Sequence, residues 1–380
     1  MDFNGSSPFP EGVISFLDTD LYKLTMQCAV LRHFSDVKVT YAFHNRTPEK
    51  KLSRAAFRWL QIQINKLGNI ALSNDELRFL QNTCTYLNKP YLDFLKEFRL
   101  NPRDQIEASF TPEKDTGSED DIGEFYLTIK GLWVETILYE IPLLALTSEA
   151  YFRFMDTDWT YDGQEDKAYA KEGVLGIALT DTFGTPVFLE SFKQPIPRTT
   201  TTGPGALSED VRTPEAPSKT SLDKVDGKAK TFADVFAGVR QDSGDPADFV
   251  KIMRQFYDEQ GIKDKKTIVF SDSLNIDLCI EYKKISDDAG FNTTFGVGTF
   301  FTNDFIHQST GNKSTPLNIV IKLGSAGGNQ AIKISDNIGK NTGHKETVEK
   351  VKRELGYVER EWKGGDEGSR WGKDGEPLKN

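Results

Sequence analysis

The feature that most restricts the fold is a recurrence. Four stretches, GIALTDTFGT (176–185), FAGVRQDSGDP (236–246), TIVFSDSLN (267–275) and NTTFGVGT (292–299), each run from an apolar strand into a segment of Gly, Ser, Thr and Asp residues. An apolar strand that runs into a polar loop and then an amphipathic helix is a βα unit, and a series of them builds a parallel sheet. Ile276 to Ala289, closed by Gly290, has the periodicity of the helix after the third strand. Asp242 and Asp272 are 30 residues apart, and Asp272 and Gly298 are 26 apart. Both spacings lie near the roughly 30 residues of one unit. Asp181 and Asp242 are 61 apart, but 193–230 lies between them, with five of the chain's 16 prolines and no aromatic residue. Such a stretch cannot bury enough surface to order itself and is expected to be a disordered insertion. Without its 38 residues the spacing falls to 23, again one unit.

Residues 1–131 read as a separate N-terminal α/β domain. Asp18 and Asp20 carry the acceptors of a helix N-cap, and Leu21, Leu24, Thr25, Cys28 and Leu31 follow at helical spacing as the packed face, with Tyr22 and Lys23 beside it. VKVTYAFHNRT (37–47) and EFYLTIKG (124–131) alternate as strands do. Residues 53–99 read as several amphipathic helices, and 112–121 as an acidic loop. The second domain, 132–362, opens on a long apolar helical segment, 132–154, in which Pro142 is expected to kink the helix or start a new turn. Residues 363–380 read as a flexible tail.

Composition narrows the function. Asp and Glu total 57 against 47 Lys and Arg, a net charge of −10, which disfavours nucleic acid or an anionic membrane as partner. Three cysteines and four histidines, His33, His44, His307 and His344, lie far apart with neither C-x-x-C nor H-E-x-x-H, so a disulfide scaffold and a zinc cage are not expected. With no apolar run of membrane-spanning length and no signal-peptide pattern, an intracellular protein is expected.

The polar clusters should gather at the carboxyl ends of parallel strands, where such sheets build their sites. Carboxylates there suit sugar hydroxyls or a divalent cation, and an arginine suits a carboxylate. Arg240, Asp242 and Asp272 are the candidates. Asp245, directly before Pro246, reads first as a helix cap. Gly296-Val297-Gly298-Thr299 is a candidate phosphate loop, since glycines let backbone N–H groups approach an anion. Lys322 and Lys333 could approach a phosphate, though a solvated strand end is the plainer role for each. Two carboxylates about a sugar also leave a glycoside hydrolase as a minor alternative.

Several segments together resemble the nicotinate phosphoribosyltransferase family, in particular its fungal members. They are LDTDLYKLTM (17–26), FHNRTP (43–48), ETILYEIPLLAL (135–146), ALTDTFGT (178–185), GVRQDSGDP (238–246), FSDSLN (270–275), TFGVGTFFTND (294–304), PLNIVIKL (316–323), AIKISDN (331–337) and KRELGY (352–357). The resemblance implies an N-terminal α/β domain followed by the irregular TIM-like α/β barrel of the type II phosphoribosyltransferases. It also implies formation of nicotinate mononucleotide and pyrophosphate from nicotinate and 5-phosphoribosyl 1-pyrophosphate, with ATP as co-substrate and Mg²⁺, in NAD biosynthesis. A cytoplasmic homodimer, with the nucleus as a second location, is expected. Tyr22 would contact the pyridine ring, often across a subunit boundary in this family, and Arg240 would bind nicotinate. Asp242 and Asp272 would face ribose hydroxyls or magnesium, and Gly296, Gly298 and Thr299 would hold the 5-phosphate.

One departure is large. The family carries an E-F-G-T-R-R-R type arginine run, a G-T-S-N strand end and an A-H-E-W motif with a phosphorylated histidine before ALTDTFGT. None occurs here, and Lys171-Glu-Gly-Val-Leu175 runs directly into Gly176. About three βα units are absent at 175/176 by this reading, the barrel is expected to be incomplete, and no histidine matches the phosphorylated one. A catalytically impaired homologue that binds a phosphorylated ligand or pairs with a full-length enzyme is the alternative.

Overall fold

A computed structural model describes residues 11–161, 177–180, 184–195, 230–272, 274–298, 305–334, 341 and 343–357. In chain order the described elements begin with α1 (Leu21–His33), β1 (Lys38–Asn45), β2 (Leu52–Ser53), α2 (Arg54–Lys66), α3 (Asn74–Thr83), α4 (Lys89–Glu97), α5 (Pro102–Gln105), β3 (Ile106–Pro112), β4 (Ile122–Leu132), α6 (Trp133–Thr136) and α7 (Glu140–Phe154). There follow β5 (Trp159–Tyr161), β6 (Ile177–Leu179), α8 (Thr185–Phe192), α9 (Phe232–Val235), β7 (Gly238–Gln241), α10 (Pro246–Glu259), β8 (Thr267–Phe270), α11 (Ile276–Asp288) and β9 (Asn292–Phe295). The remainder are β10 (Phe305–His307), β11 (Ile319–Ala326), β12 (Asn329–Gln330) and α12 (Lys345–Glu354).

Two compact units result. The first takes in the described residues up to Thr157 together with Leu317–Ala331, so packing does not divide the chain at 131/132. Its antiparallel sheet has the order β12-β11-β1-β4-β2, with β3 also on β4. The segment PLNIVIKL does not sit among the parallel strands; its residues 319–323 belong to β11, which pairs with β1, and Lys322 lies mid-strand opposite Ala42 rather than at a strand end. The apolar segment 133–154 also packs in this unit, because Leu138, Leu143, Leu146 and Ala150 join the core that Leu60, Leu80 and Leu95 share. Burying each such leucine contributes about 2 kcal/mol. Pro142 stands in the first turn of α7, after a single 3₁₀ turn at Ile137–Tyr139, as its missing N–H requires. The helices of 53–99 start where side-chain caps allow. Ser53 accepts from Ala56 N at 3.2 Å, Ser73 and Glu76 cap reciprocally, and Asn88 accepts from Tyr91 N at 2.9 Å.

The face of α1 differs from the periodicity. Lys23, Leu24, Gln27 and Val30 are buried, whereas Leu21, Tyr22 and Met26 are exposed. Polar side chains take inward positions because partners wait there: Lys23 pairs with Glu140, Gln27 Nε2 donates to Val134 O at 2.8 Å, and the Tyr91 hydroxyl donates to Gln27 Oε1 at 2.8 Å. Asp20 occupies the N-cap without a side-chain bond, and Asp18 accepts from the backbone of Ile14 and Ser15 instead.

The second unit holds four parallel strands in the order β6-β7-β8-β9. Spatial order equals chain order, with no reversal among the described strands. That is the winding of a barrel wall rather than of a doubly wound sheet. The helices pack on it through Phe249, Val250, Met253 and Tyr257 of α10, which meet Val239, Ile268 and Phe270 in one apolar cluster. A Cβ at Gly238 would stand 2.1 Å from Thr267 O, so only glycine fits the start of β7. Lys266, buried at the start of β8, donates to the carbonyls of Asp234 and Phe236, both at 2.9 Å. Burial pushes its pKa below the ordinary lysine value. The 175/176 junction, the insertion except for 193–195 and 230, Asp181 and the tail lie outside the described residues.

Candidate functional site at the parallel strand ends

Parallel register brings the carboxyl ends of the strands together. Leu179 stands beside Arg240 and Arg240 beside Val269, and the register continues past the strands, with Ser271 N on Gln241 O at 3.0 Å and Gly296 N on Phe270 O at 2.8 Å. Thr180 Oγ1 ties its own strand end to Arg240 O at 2.8 Å. Thr180, Asp242, Ser271, Asp272 and Gly296 therefore follow one another across a single edge of the sheet.

Arg240 is held on two sides. Its Nε donates to Ser271 Oγ at 2.7 Å and its Nη2 meets Asp242 Oδ1 at 2.5 Å. The Ser271 hydroxyl lies 3.0 Å from Asp242 Oδ1 and 3.1 Å from Gln241 O, so arginine, serine and aspartate close a triangle over β7 and β8. Lys333 Nζ stands 3.8 Å from Asp242 Oδ2. Burial by itself would raise the Asp242 pKa. The charge and hydrogen bond of Arg240, with Lys333 and the Ser271 hydroxyl, outweigh it and hold the carboxyl below its ordinary value. Two cations thus face the one carboxylate of Asp242. Nη1 of Arg240 bonds to nothing among the described residues, and the side chain is 34% exposed.

The loops are set by their own sequence. Asp245 accepts from Asp248 N at 2.9 Å and caps α10 ahead of Pro246, the structural role the sequence favours. Gly244 has a φ of +77°, which turns the chain sharply between Asp242 and that cap. Gln241, fully buried, donates from Nε2 to Ser243 O at 2.9 Å and Gly244 O at 3.2 Å, so it braces the same loop from beneath. Asn275 caps α11 by accepting from Leu278 N at 2.9 Å.

The structure gathers Arg240, Asp242, Asp272 and the Gly296–Gly298 turn at one sheet edge, with Asp272 buried and both glycines exposed. Among the described residues a Cβ at Gly298 would meet nothing within 4 Å. Thr299 lies outside the described residues. Tyr22, 49% exposed, is on α1 in the first unit. Sequence reasoning passed over Ser271 and gave Lys333 a solvated strand end. A signal for Ser271 was available, since it is the first residue past β8 and parallel register places it beside Arg240 and Asp242.

Asp242 is not placed as a direct magnesium ligand. Asp242 Oδ1 is taken by Arg240 and Ser271, and Oδ2 faces an ammonium group. Among the described residues no three His, Cys, Asp or Glu side chains converge as a metal site would need. None of the described helices is long and apolar enough to cross a membrane.

Comparison with known proteins gives a consistent result. Residues 17–148 match the model of the nicotinate phosphoribosyltransferase N-terminal domain, and 218–359 match that of the nicotinate phosphoribosyltransferase family. Nicotinate phosphoribosyltransferase of Saccharomyces cerevisiae is 37% identical over 427 residues, covering 94% of this chain and 98% of that protein. The protein of the same name from Chromohalobacter salexigens is 31% identical, covering 91% and 99%. A crystal structure from Saccharomyces cerevisiae aligns with a TM-score of 0.75 and 31% identity, over 92% of this chain and 100% of that one. Nicotinate phosphoribosyltransferase from Porphyromonas gingivalis, at 24% identity, aligns over 90% and 100% with a TM-score of 0.69 and speaks for the fold alone. The first alignment, at 427 residues, is longer than the 380-residue chain, so that relative carries residues with no counterpart here.

Proposed function

The chain belongs to the nicotinate phosphoribosyltransferase family, and from that premise we propose that it joins nicotinate to 5-phosphoribosyl 1-pyrophosphate, releasing pyrophosphate and forming nicotinate mononucleotide. The observation that carries this reading is the Arg240–Ser271–Asp242 triangle at the sheet edge, with Lys333 beside it. Displacement of pyrophosphate from C1 of ribose passes through a cationic, oxocarbenium-like state. An Asp242 carboxylate that stays ionised at neutral pH opposes that charge, and Asp272 joins it toward the ribose hydroxyls. The Nη1 edge of Arg240 takes the carboxylate of nicotinate in a charge-assisted hydrogen bond. The pyridine nitrogen attacks with its own lone pair, so no general base is needed and no histidine is asked to act. Gly298 and Thr299 receive the 5-phosphate on backbone N–H groups, while the Gly296 N–H, given to Phe270 O, holds the turn to the neighbouring strand end.

Mg²⁺ and ATP belong to the same proposal as cofactor and co-substrate. Because Asp242 is held by cations, magnesium would enter with the diphosphate of the substrate and not on an aspartate cage, and no step here is routed through it. A homodimer is part of the proposal as well. Leu21, Tyr22, Met26 and Phe34 leave an apolar face of the α1 region exposed, and a second copy would cover it while presenting Tyr22 to a pyridine ring. NAD biosynthesis in the cytoplasm, with the nucleus as a second location, is the proposed setting.

Nicotinate-dependent release of pyrophosphate by the purified chain, with ATP and magnesium supplied, tests the activity. Turnover supports it, and a folded protein with none overturns it. The second reading, a homologue that binds without turning over, draws on the alignment that outruns this chain and on the absent arginine run and A-H-E-W motif. It requires stabilisation by 5-phosphoribosyl 1-pyrophosphate without turnover, or co-purification with a full-length relative.

A further inference from the structure

We propose that Ser271 is a positioning residue that fixes the direction of the Arg240 guanidinium and the carboxylate of Asp242; its bearing on catalysis rests on the proposed reading of Arg240 as the group that binds nicotinate. An arginine side chain has several rotatable bonds, and a salt bridge at one nitrogen leaves the guanidinium free to swing about it. Arg240 is fixed at two nitrogens by two different residues. Asp242, two positions on in the same chain, takes Nη2 at 2.5 Å, and Ser271 on the neighbouring strand end takes Nε at 2.7 Å. The second bond sets the plane of the guanidinium and thereby the direction of Nη1.

Ser271 has the chemistry for this. Its oxygen accepts from Nε while its single proton is shared toward Asp242 Oδ1 at 3.0 Å and Gln241 O at 3.1 Å. One hydroxyl thus orients the cation and the anion together and references both to the β7 backbone. The backbone places it firmly, because Ser271 N donates to Gln241 O in continuation of the parallel register. Gly296 presents no side chain against Ser271, and a Cβ built there would be 3.4 Å from that of Ser271. Threonine would keep the hydroxyl, whereas alanine removes only it.

The test uses the full chain and its Ser271→Ala and Ser271→Thr variants. Misplacing a binding group by a fraction of an ångström predicts a rise of about tenfold in KM for nicotinate and, through Asp242, a fall in kcat in Ser271→Ala, with the melting temperature unchanged and both kinetic values recovered in Ser271→Thr. A merely structural role would lower the melting temperature of Ser271→Ala. The second readout needs no activity: the Arg240 Nε–H resonance, assigned through Arg240→Lys, exchanges slowly in the wild type and in Ser271→Thr and fast in Ser271→Ala. If the chain does not turn over, the functional reading fails and this resonance alone decides the positioning role. Slow exchange persisting in Ser271→Ala, or unchanged KM values in an active enzyme, overturns the proposal.

Discussion

Asp242 shows how one residue's surroundings decide what it can do. Its carboxyl is partly buried, which taken alone would favour the neutral acid, yet Arg240, Lys333 and Ser271 reverse the balance and lower its pKa. A carboxyl whose folded pKa is depressed adds stability that is present above its unfolded value, near 3.8, and is lost as pH falls through the lower folded value. The stability difference between wild type and Asp242→Asn should thus be largest at neutral pH and shrink below about pH 4, as denaturant titrations at the two pH values would register. The same substitution should abolish turnover, since a neutral amide cannot oppose a cationic transition state. Lys23 gives a contrasting case. Its ammonium is buried against a more exposed Glu140, so Lys23→Ala should lower the unfolding free energy of the first unit by about 2 kcal/mol, read from urea titration, less than a fully buried pair would. The identity of both residues was plain in the sequence, but their partners were not. Lys333 is 91 positions from Asp242, and Glu140 is 117 from Lys23.

At the scale of elements, local chemistry explains starts and stops better than faces. The Asp245-Pro246 start of α10 and the strands on either side were legible because capping and alternation act over a few residues. Asp245→Ala should cost about 1 kcal/mol in thermal unfolding and leave KM values within twofold, which separates the cap from its neighbour Asp242. Gly238 is an element-scale constraint that composition does not announce. Gly238→Ala would drive a methyl into Thr267 O and should destabilise the second unit by about 3 kcal/mol or prevent its folding, seen as loss of the cooperative transition. The buried face of α1 was misjudged because periodicity counts apolar residues. The actual face is chosen by Glu140, Tyr91 and the Val134 carbonyl, which satisfy polar groups on the inward side.

For the whole molecule, the consequential fact is what separates this chain from its relatives. The yeast enzyme aligns over 427 residues with a chain of 380, and the arginine run and A-H-E-W motif that the resemblance implies do not occur in this sequence. A parallel sheet deprived of strands leaves edges that must be covered or closed by a changed tilt. Inserting the relative's segment between Leu175 and Gly176 should raise nicotinate-dependent pyrophosphate release at least tenfold if that segment supplies the cationic clamp on the diphosphate. An unchanged rate would locate the clamp elsewhere. Sequencing the transcript across the codons for Val174 to Gly176 would establish whether the segment is encoded but left out.

The sequence by itself determined the βα succession, the N-terminal α/β region, the cap at Asp245 and the residue types gathered at the strand ends. These follow from periodicity and short-range hydrogen bonding, which are written locally. Only the tertiary structure decided that the strand around Lys322 returns to the first sheet, that Lys333 stands over Asp242, and that Ser271 joins Arg240 to it. Each depends on a pairing between distant segments, and a pairing is a property of two places in the chain that neither place records alone.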